Sequence, residues 1–432
     1  MNFIKTCVPI LIISILIVVF ARHIFCQEPA DDQKIIPNEG EKLIREKDYA
    51  GAEALFANYA NSTNVDTKRE GLYGLGRIYF FKGDLKNAQE YLGKAFEIDK
   101  TPPVFLKMDA VRVITGIYAY KSYIFTIKGD YAKAIEILNA VISKGWVELC
   151  PDNMTGVSIY SSVARNYLLL GDIPSALKFY KKSYNLKIVS KTLNTAVKHI
   201  SLMGLGKCSL LSGKYADARD YYLEAVKTAQ GNNALILAAY SECTDAYLFL
   251  GEYEKAYSEC VKKIQELSKS GGDLKSYYNL GIIYAKTGKI REARESFNKI
   301  FAQVGANPTE SPMESFLSNF YSALAHYNLG LMLYQDKDPA QALVEMRTAA
   351  DLIYKDPRLI FYKTDAQYLF MSVKYNIIKM LKDSDDKDSA EKEQAELEKF
   401  INGLPAKEKK LVESKIVNNY IEGPSWEEIN KK

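Results

Sequence analysis

The chain has 432 residues, of which 47% are hydrophobic and 25% are charged, with a formal net charge of +4. This composition is typical of a folded protein with enough apolar mass for a sizeable core, and the length alone suggests about three domains. The nearly balanced charge lacks the clustered basic footprint of a nucleic-acid-binding protein, so we expect no nucleic-acid partner.

The N-terminal segment, residues 1–26, is predicted to be a signal peptide or a membrane anchor. Its apolar run from Cys7 to Ala21 is about 15 residues long, shorter than the about 20 residues of a full membrane span, which favours a signal peptide. An uncleaved anchor is one alternative. A lipoprotein signal that lipidates Cys26 is another, although Phe25 stands where a small residue is needed. Each alternative exports the rest of the chain, so we expect a periplasmic or extracytoplasmic location.

From residue 36 to residue 357 the sequence repeats a pattern that is typical of a helical hairpin. Residues 74–96, GLGRIYFFKGDLKNAQEYLGKAF, form two amphipathic stretches joined at Gly83, where glycine accepts the left-handed conformation that ends a helix. A small residue lies seven positions before the turn and an alanine five positions after it, which lets the two helices approach closely. The frame recurs at eight turn positions, which are Lys47, Gly83, Gly129, Gly171, Gly213, Gly251, Gly288 and Lys337.

A single hairpin cannot bury its apolar face alone, so the copies are expected to stack into an all-α solenoid with a concave inner surface. Two connectors interrupt the array, residues 100–109 with a Pro-Pro pair and the Pro/Ser-rich residues 305–315, and they could kink the superhelix or split it into two lobes. The sequence predicts a linker over 27–35, the repeat solenoid over 36–357, C-terminal capping helices over 358–422 and a tail over 423–432.

Cysteines and histidines form no catalytic or metal-binding motif in this sequence. The four cysteines beyond the N-terminal segment are scattered, and we expect buried thiols, with a Cys243–Cys260 disulfide as the alternative in an oxidising compartment. His199 and His326 are too distant in sequence for a local motif, and His326 occupies a position that is aromatic in other copies, as a packed histidine would. No HExxH, GxSxG, P-loop or post-strand GxGxxG is found. We therefore expect no enzyme activity, no cofactor and no metal.

The repeated residues resemble the tetratricopeptide repeat. Residues 277–297, YYNLGIIYAKTGKIREARESF, are close to that family's consensus. The resemblance implies a right-handed α-solenoid that binds proteins or peptides and is usually not an enzyme. The turn positions lie 36 to 49 residues apart instead of the family's usual 34, which predicts longer helices or inserted loops.

In this family the first helix of each hairpin lines the concave groove, which makes residues six, nine and ten positions before each turn candidate partner contacts. The candidates are Tyr73, Arg77, Tyr123, Arg165, Lys207, Tyr278, Asn279, Tyr327 and Asn328. The amides of Asn279 and Asn328 could hold the backbone of an extended peptide, because an amide both donates and accepts hydrogen bonds. The cations Arg77, Arg165 and Lys207 suit an acidic segment or a carboxyl terminus, and the tyrosines could supply anchors. The five polar residues that grip a terminal carboxylate in chaperone-binding members are not matched.

These features together predict a non-enzymatic exported scaffold that binds a protein or peptide segment in its groove, in cell-envelope assembly or as a transport accessory. A regulatory or catalytic-accessory subunit of an envelope enzyme complex is the alternative. The expected partner is a protein or peptide of unknown identity, with a possible membrane tether through the N-terminus. No small-molecule substrate is expected.

Overall fold

A computed structural model describes residues 39–98, 108–148, 158–188, 190–229, 232–267, 273–306, 312–354 and 363–404. Over these residues the secondary structure is entirely helical, with eighteen helices. The predicted signal peptide or anchor, Cys26, the linker over 27–35 and the tail over 423–432 all lie outside the described residues. None of the described helices combines the length and hydropathy that a membrane span requires.

The chain divides into two compact units, with the boundary after Leu205. The described part of the N-terminal unit covers residues 39–205, and that of the C-terminal unit covers residues 206–404. The boundary falls inside one long helix and at neither of the connectors over 100–109 and 305–315.

The N-terminal unit is a series of helices that pack in sequence order as antiparallel hairpins. Its helices are α1 (Glu39–Arg45), α2 (Tyr49–Ala60), α3 (Val65–Phe81), α4 (Leu85–Ile98), α5 (Met108–Ile127), α6 (Tyr131–Ser143), α7 (Ile159–Leu169), α8 (Ile173–Tyr184) and the first part of α9 (Lys191–Leu211). Close packing joins the two helices of a hairpin, for example α3 with α4 and α7 with α8, and also neighbouring helices of successive hairpins, for example α2 with α3.

The C-terminal unit is built in the same way and begins with the last part of α9. Its further helices are α10 (Tyr215–Thr228), α11 (Asn233–Leu250), α12 (Tyr253–Leu267), α13 (Leu274–Lys286), α14 (Ile290–Ala306), α15 (Pro312–Gln335), α16 (Pro339–Tyr354), α17 (Lys363–Asp383) and α18 (Lys387–Gly403). Both units thus consist of stacked helical hairpins, and the predicted all-α solenoid fold class is confirmed.

The turns have the conformation that the sequence predicts. All eight predicted turn residues have a positive φ, from 60° at Lys47 to 81° at Gly83. After the turn, an aspartate often caps the second helix: Asp130 accepts a hydrogen bond from the backbone N–H of Lys133 at 3.2 Å, and Asp172 accepts one from that of Ser175 at 3.1 Å. The hairpins are therefore specified locally, by a left-handed residue followed by a helix-starting one.

A ninth turn of the same kind occurs in the predicted capping region. Asp385 has a φ of 60°, and it joins α17 to α18. The frame continues beyond it, because Ala390, five positions after the turn, and Leu397, twelve after, are both 1% exposed. The first two predicted capping helices thus form a hairpin with the same construction as the repeats.

Small residues set the distance between paired helices. The alanine five positions after each of the eight predicted turns is completely buried. The glycine seven positions before the turn packs against the bulky residue nine after it: a Cβ at Gly76 would lie 2.6 Å from Cγ of Leu92, and one at Gly281 would lie 2.5 Å from the ring of Phe297. The glycine therefore makes room for this bulky side chain of the second helix.

Candidate functional site

In the N-terminal unit, four of the predicted partner contacts belong to one row of arginines and tyrosines on α3, α5 and α7. The Arg77 guanidinium lies 5.3 Å from the ring centroid of Tyr73 and 5.7 Å from that of Tyr120. The Tyr120 and Tyr123 rings are 5.8 Å apart, and Arg165 lies 5.6 Å from the Tyr123 ring. We call these five residues the tyrosine–arginine row, in which each guanidinium is attracted by a neighbouring ring face.

Most of the tyrosine–arginine row is buried. Tyr73, Arg77, Tyr120 and Arg165 are each 9% exposed or less, and Tyr123 is half-buried. The sequence missed Tyr120, although it lies nine positions before Gly129, at the place that Asn279 and Asn328 occupy in later copies. The part of the row most open to a partner is thus Tyr123.

In the C-terminal unit, a buried ion cluster occupies the first helices of two successive hairpins. Lys275 of α13 lies 2.7 Å from a carboxylate oxygen of Glu242 and 2.9 Å from one of Asp245, both on α11. Asn279 donates a hydrogen bond of 2.9 Å to the other Asp245 oxygen. Burial lowers the pKa of Lys275, but attraction to the two carboxylates outweighs it and holds that pKa above its usual value. The cluster keeps Lys275 charged. The side chain of Asn279, a predicted partner contact, is engaged in a hydrogen bond within the chain.

Asparagines also connect the first helices of the later hairpins. Asn328 of α15 donates to the Tyr278 hydroxyl of α13 at 3.3 Å and to the Leu324 carbonyl at 2.8 Å. One hairpin further on, Asn376 of α17 donates to the Tyr327 hydroxyl of α15 at 3.0 Å. Each asparagine lies nine positions before its own turn, and each tyrosine lies ten before the preceding turn. We call these two bonds the Asn–Tyr ladder.

The Asn–Tyr ladder changes how the predicted peptide contacts are interpreted. Tyr278, Tyr327, Asn279 and Asn328 are each 3% exposed or less. Their polar groups bond within the chain, so an extended peptide does not meet free amides at these positions. Contact of these residues with a partner stays a prediction.

Lys207 and the cysteines of the described residues are buried. Lys207 is 0% exposed and lies at the start of the C-terminal unit. Cys208, Cys243 and Cys260 are free thiols, so the alternative of a Cys243–Cys260 disulfide is not realised in this structure. Burial raises the pKa of each of these thiols to about 12, which keeps them protonated and unreactive.

His326 is a packed histidine. Its ring stacks on Phe301 with centroids 4.2 Å apart, and its Nδ1 lies 2.5 Å from an oxygen of Glu345. Within the described ranges, no group of His, Cys, Asp and Glu side chains could hold a metal ion.

Three stretches of the chain match family models of the tetratricopeptide repeat, over residues 70–102, 194–234 and 274–302. The TPR repeat-containing protein MJ1428 of Methanocaldococcus jannaschii is 25% identical over 289 residues, which is 66% of this chain and 45% of that protein. The chain therefore spans less than half the length of this relative.

Two solved structures share the fold. The apo form of the quorum sensor NprR from B. thuringiensis superimposes with a TM-score of 0.55 and 19% identity, over 73% of this chain and 85% of that one. The apo form of RapI superimposes with a TM-score of 0.52 and 14% identity, over 79% and 95%. The repeat frame, the helical hairpins and the family matches agree that the chain contains tetratricopeptide repeats.

Proposed function

We propose that the chain is a non-enzymatic scaffold that binds a protein or peptide segment along the first helices of its hairpins. The observation that carries this proposal is the tyrosine–arginine row in the N-terminal unit. Tyrosine and arginine are the residues enriched where protein interfaces derive most of their binding energy, and here they line up along three successive first helices. Tyr123, the half-buried member, is the residue that a partner would contact first.

Affinity capture tests this proposal. The full chain is expressed in its native cells, cross-linked, and its partners are quantified by mass spectrometry for the wild type and Tyr123→Ala. We expect Tyr123→Ala to reduce the occupancy of at least one partner by about tenfold, since a well-packed interface tyrosine contributes about 1–2 kcal/mol or more. Tyr257→Ala, at a 40% exposed tyrosine on α12, is the matched control. Equal partner occupancy in the wild type and Tyr123→Ala would contradict the proposal.

We further propose that the scaffold is exported and acts in cell-envelope assembly or transport. The support is the apolar run from Cys7 to Ala21, which has the length of a signal-peptide core. Mass spectrometry of the mature N-terminus tests export and distinguishes its three forms. Cleavage near Ala21 indicates a signal peptide, an intact N-terminus in the membrane fraction indicates an anchor, and a lipid on Cys26 indicates a lipoprotein. An intact chain in the soluble cytosolic fraction would contradict export.

A further inference from the structure

Arg165 is a buried cation that has no acidic partner among the described residues. Its side chain lies on α7 and is 6% exposed, yet it forms no ion pair and no hydrogen bond within the described part of the chain. Its contact with the Tyr123 ring, at 5.6 Å, is to a neutral group. The groups that act electrostatically on it are Tyr123, Tyr180 and Tyr131, and none of them is a carboxylate.

Three other buried cations of the described residues lie beside carboxylates. Lys275 lies within 2.9 Å of Glu242 and Asp245, Lys374 within 2.8 Å of Glu393 and Glu396, and Arg69 lies 2.6 Å from Asp66. An unpaired buried charge destabilises a fold, because it loses its hydration without gaining a counter-charge. Arg165 has no such counter-charge among the described residues, so its burial lowers stability and calls for another explanation.

The surroundings of Arg165 define which anion would fit. Only its Nε is both enclosed and without a hydrogen bond, so the terminal nitrogens are the part of the guanidinium that solvent reaches. A planar guanidinium pairs with a planar carboxylate through two parallel hydrogen bonds. No second cation among the described residues acts on Arg165, so the site matches the single charge of a carboxylate better than the double charge of a phosphate.

We propose that Arg165 is the site where the chain binds a carboxylate of its partner, either an acidic side chain or a carboxyl terminus. The proposal rests on the proposed function and adds the chemical feature that the partner must present. Arg77 has a different environment, since two tyrosine rings flank its guanidinium, so Arg165 is the carboxylate-binding residue of the tyrosine–arginine row. Tyr123 then lies beside the bound carboxylate and contacts the residues next to it.

Three pools of random hexapeptides on beads test this inference, with the full chain purified in mild detergent. The first pool has free carboxyl termini and no Asp or Glu, the second has amidated termini and one Glu, and the third replaces that Glu with Gln. We expect the wild type to bind one of the first two pools about ten- to a hundredfold better than the third. The preferred pool distinguishes a terminal carboxylate from a side-chain carboxylate.

Three variants show whether Arg165 causes this preference. Arg165→Met should abolish the preference, and Arg165→Lys should retain part of it, because a lysine keeps the charge but not the fork geometry. Lys178→Met removes the same charge from an exposed position on α8 and should bind like the wild type. Arg165→Met should also unfold at a temperature no lower than the wild type, because it removes an unpaired buried charge. If Arg165→Met does not fold, the test relies on Arg165→Lys, whose preference for the carboxylate-containing pool should be weaker than that of the wild type.

The outcomes separate this inference from the proposed function. Equal binding of all three pools by the wild type overturns the carboxylate site and leaves peptide binding intact. A carboxylate preference that survives in Arg165→Met or is undiminished in Arg165→Lys overturns the assignment to this residue. Binding of no pool by the wild type contradicts the carboxylate site and the proposed function together.

Discussion

At the scale of single residues, the first helices use charged and polar side chains in two different ways. In the C-terminal unit, Lys275 forms ion pairs with Glu242 and Asp245, and Asn279 donates a hydrogen bond to Asp245. In the N-terminal unit, the guanidinium of Arg165 lies against an aromatic ring and near no carboxylate of the described residues. The cluster connects two hairpins of one unit, whereas the row contains the charge that we propose as the binding site for a partner's carboxylate.

The ion cluster gives a stability prediction. Lys275→Met leaves Glu242 and Asp245 buried without their cation, so we expect the free energy of unfolding to fall by about 3–5 kcal/mol. Lys255→Met is the matched control, because Lys255 is 63% exposed and pairs with Glu252 on the surface, where the loss should stay below about 1 kcal/mol. Urea unfolding followed by circular dichroism measures both values. Similar losses in the two variants would show that the cluster does not contribute as a buried unit.

At the scale of the helical hairpin, two helical glycines differ in whether the packing leaves room for a side chain. Gly76 and Gly93 lie in the two helices of one hairpin, α3 and α4. A Cβ at Gly76 would come within 2.6 Å of Leu92, whereas a Cβ at Gly93 would meet nothing within 4 Å. Only Gly76 is therefore required for close packing of the two helices.

This contrast predicts opposite effects of the same substitution. Gly76→Ala should lower the free energy of unfolding by about 1–3 kcal/mol, because the added methyl group forces the two helices or Leu92 to move. Gly93→Ala should raise it by about 0.5–1 kcal/mol, because alanine restricts the unfolded chain and favours helix. Chemical unfolding of both variants under one set of conditions gives the comparison. Destabilisation by Gly93→Ala would refute this account of helix packing.

The turn residues give a second prediction at this scale. Lys337 has a φ of 64°, a left-handed conformation that most side chains disfavour, whereas Gly288 has a φ of 76°. Lys337→Gly should therefore stabilise the chain by about 1 kcal/mol, and the reverse change Gly288→Lys should destabilise it by a similar amount. Thermal unfolding of the two variants measures the difference. Opposite signs from those expected would mean that side-chain contacts outweigh backbone strain at the turns.

At the scale of the whole molecule, we expect the buried thiols to make the free energy of unfolding depend on pH. Burial raises the pKa of Cys208, Cys243 and Cys260 from 9.0 to about 12. Between these values the unfolded chain loses the thiol protons that the folded chain keeps. Stability from this source is thus complete below about pH 9 and is lost as the pH rises towards 12.

Replacement of the three cysteines tests this expectation. The free energy of unfolding of the wild type should fall between pH 8 and pH 10.5 more steeply than that of the Cys208→Ala/Cys243→Ala/Cys260→Ala variant. The difference in slope should approach about 1.4 kcal/mol per pH unit for each thiol above pH 9. Urea unfolding at several pH values provides the slopes. Parallel curves for the two proteins would exclude a thiol contribution.

The sequence was sufficient for features that depend on neighbours along the chain. All eight turn residues were predicted, because a left-handed turn and a helix start are local properties. The turn at Asp385 was not recognised, although its frame lacks a turn glycine just as those of Lys47 and Lys337 do. The turn frame also indicated which side chains occupy the first helices.

The hydrogen-bond partners of those side chains could not be predicted from the sequence, because they belong to a neighbouring hairpin. The bond between Asn328 and Tyr278 spans 50 residues, and the one between Asn376 and Tyr327 spans 49. Reading the position nine before every predicted turn would have found Tyr120 and Glu242 as well as the two predicted asparagines. Whether such a residue is buried or open is decided by stacking, which the local pattern does not specify.

The Asn–Tyr ladder has a consequence for how such a chain can evolve. The hairpin α15–α16 contributes both an amide, Asn328, for the hairpin before it and a hydroxyl, Tyr327, for the hairpin after it. A duplicated copy of this hairpin would carry the same two groups and could join the array with both bonds of the Asn–Tyr ladder re-formed. In-frame gene duplication can therefore lengthen the protein by whole hairpins without leaving the buried amide or hydroxyl of the ladder unpaired.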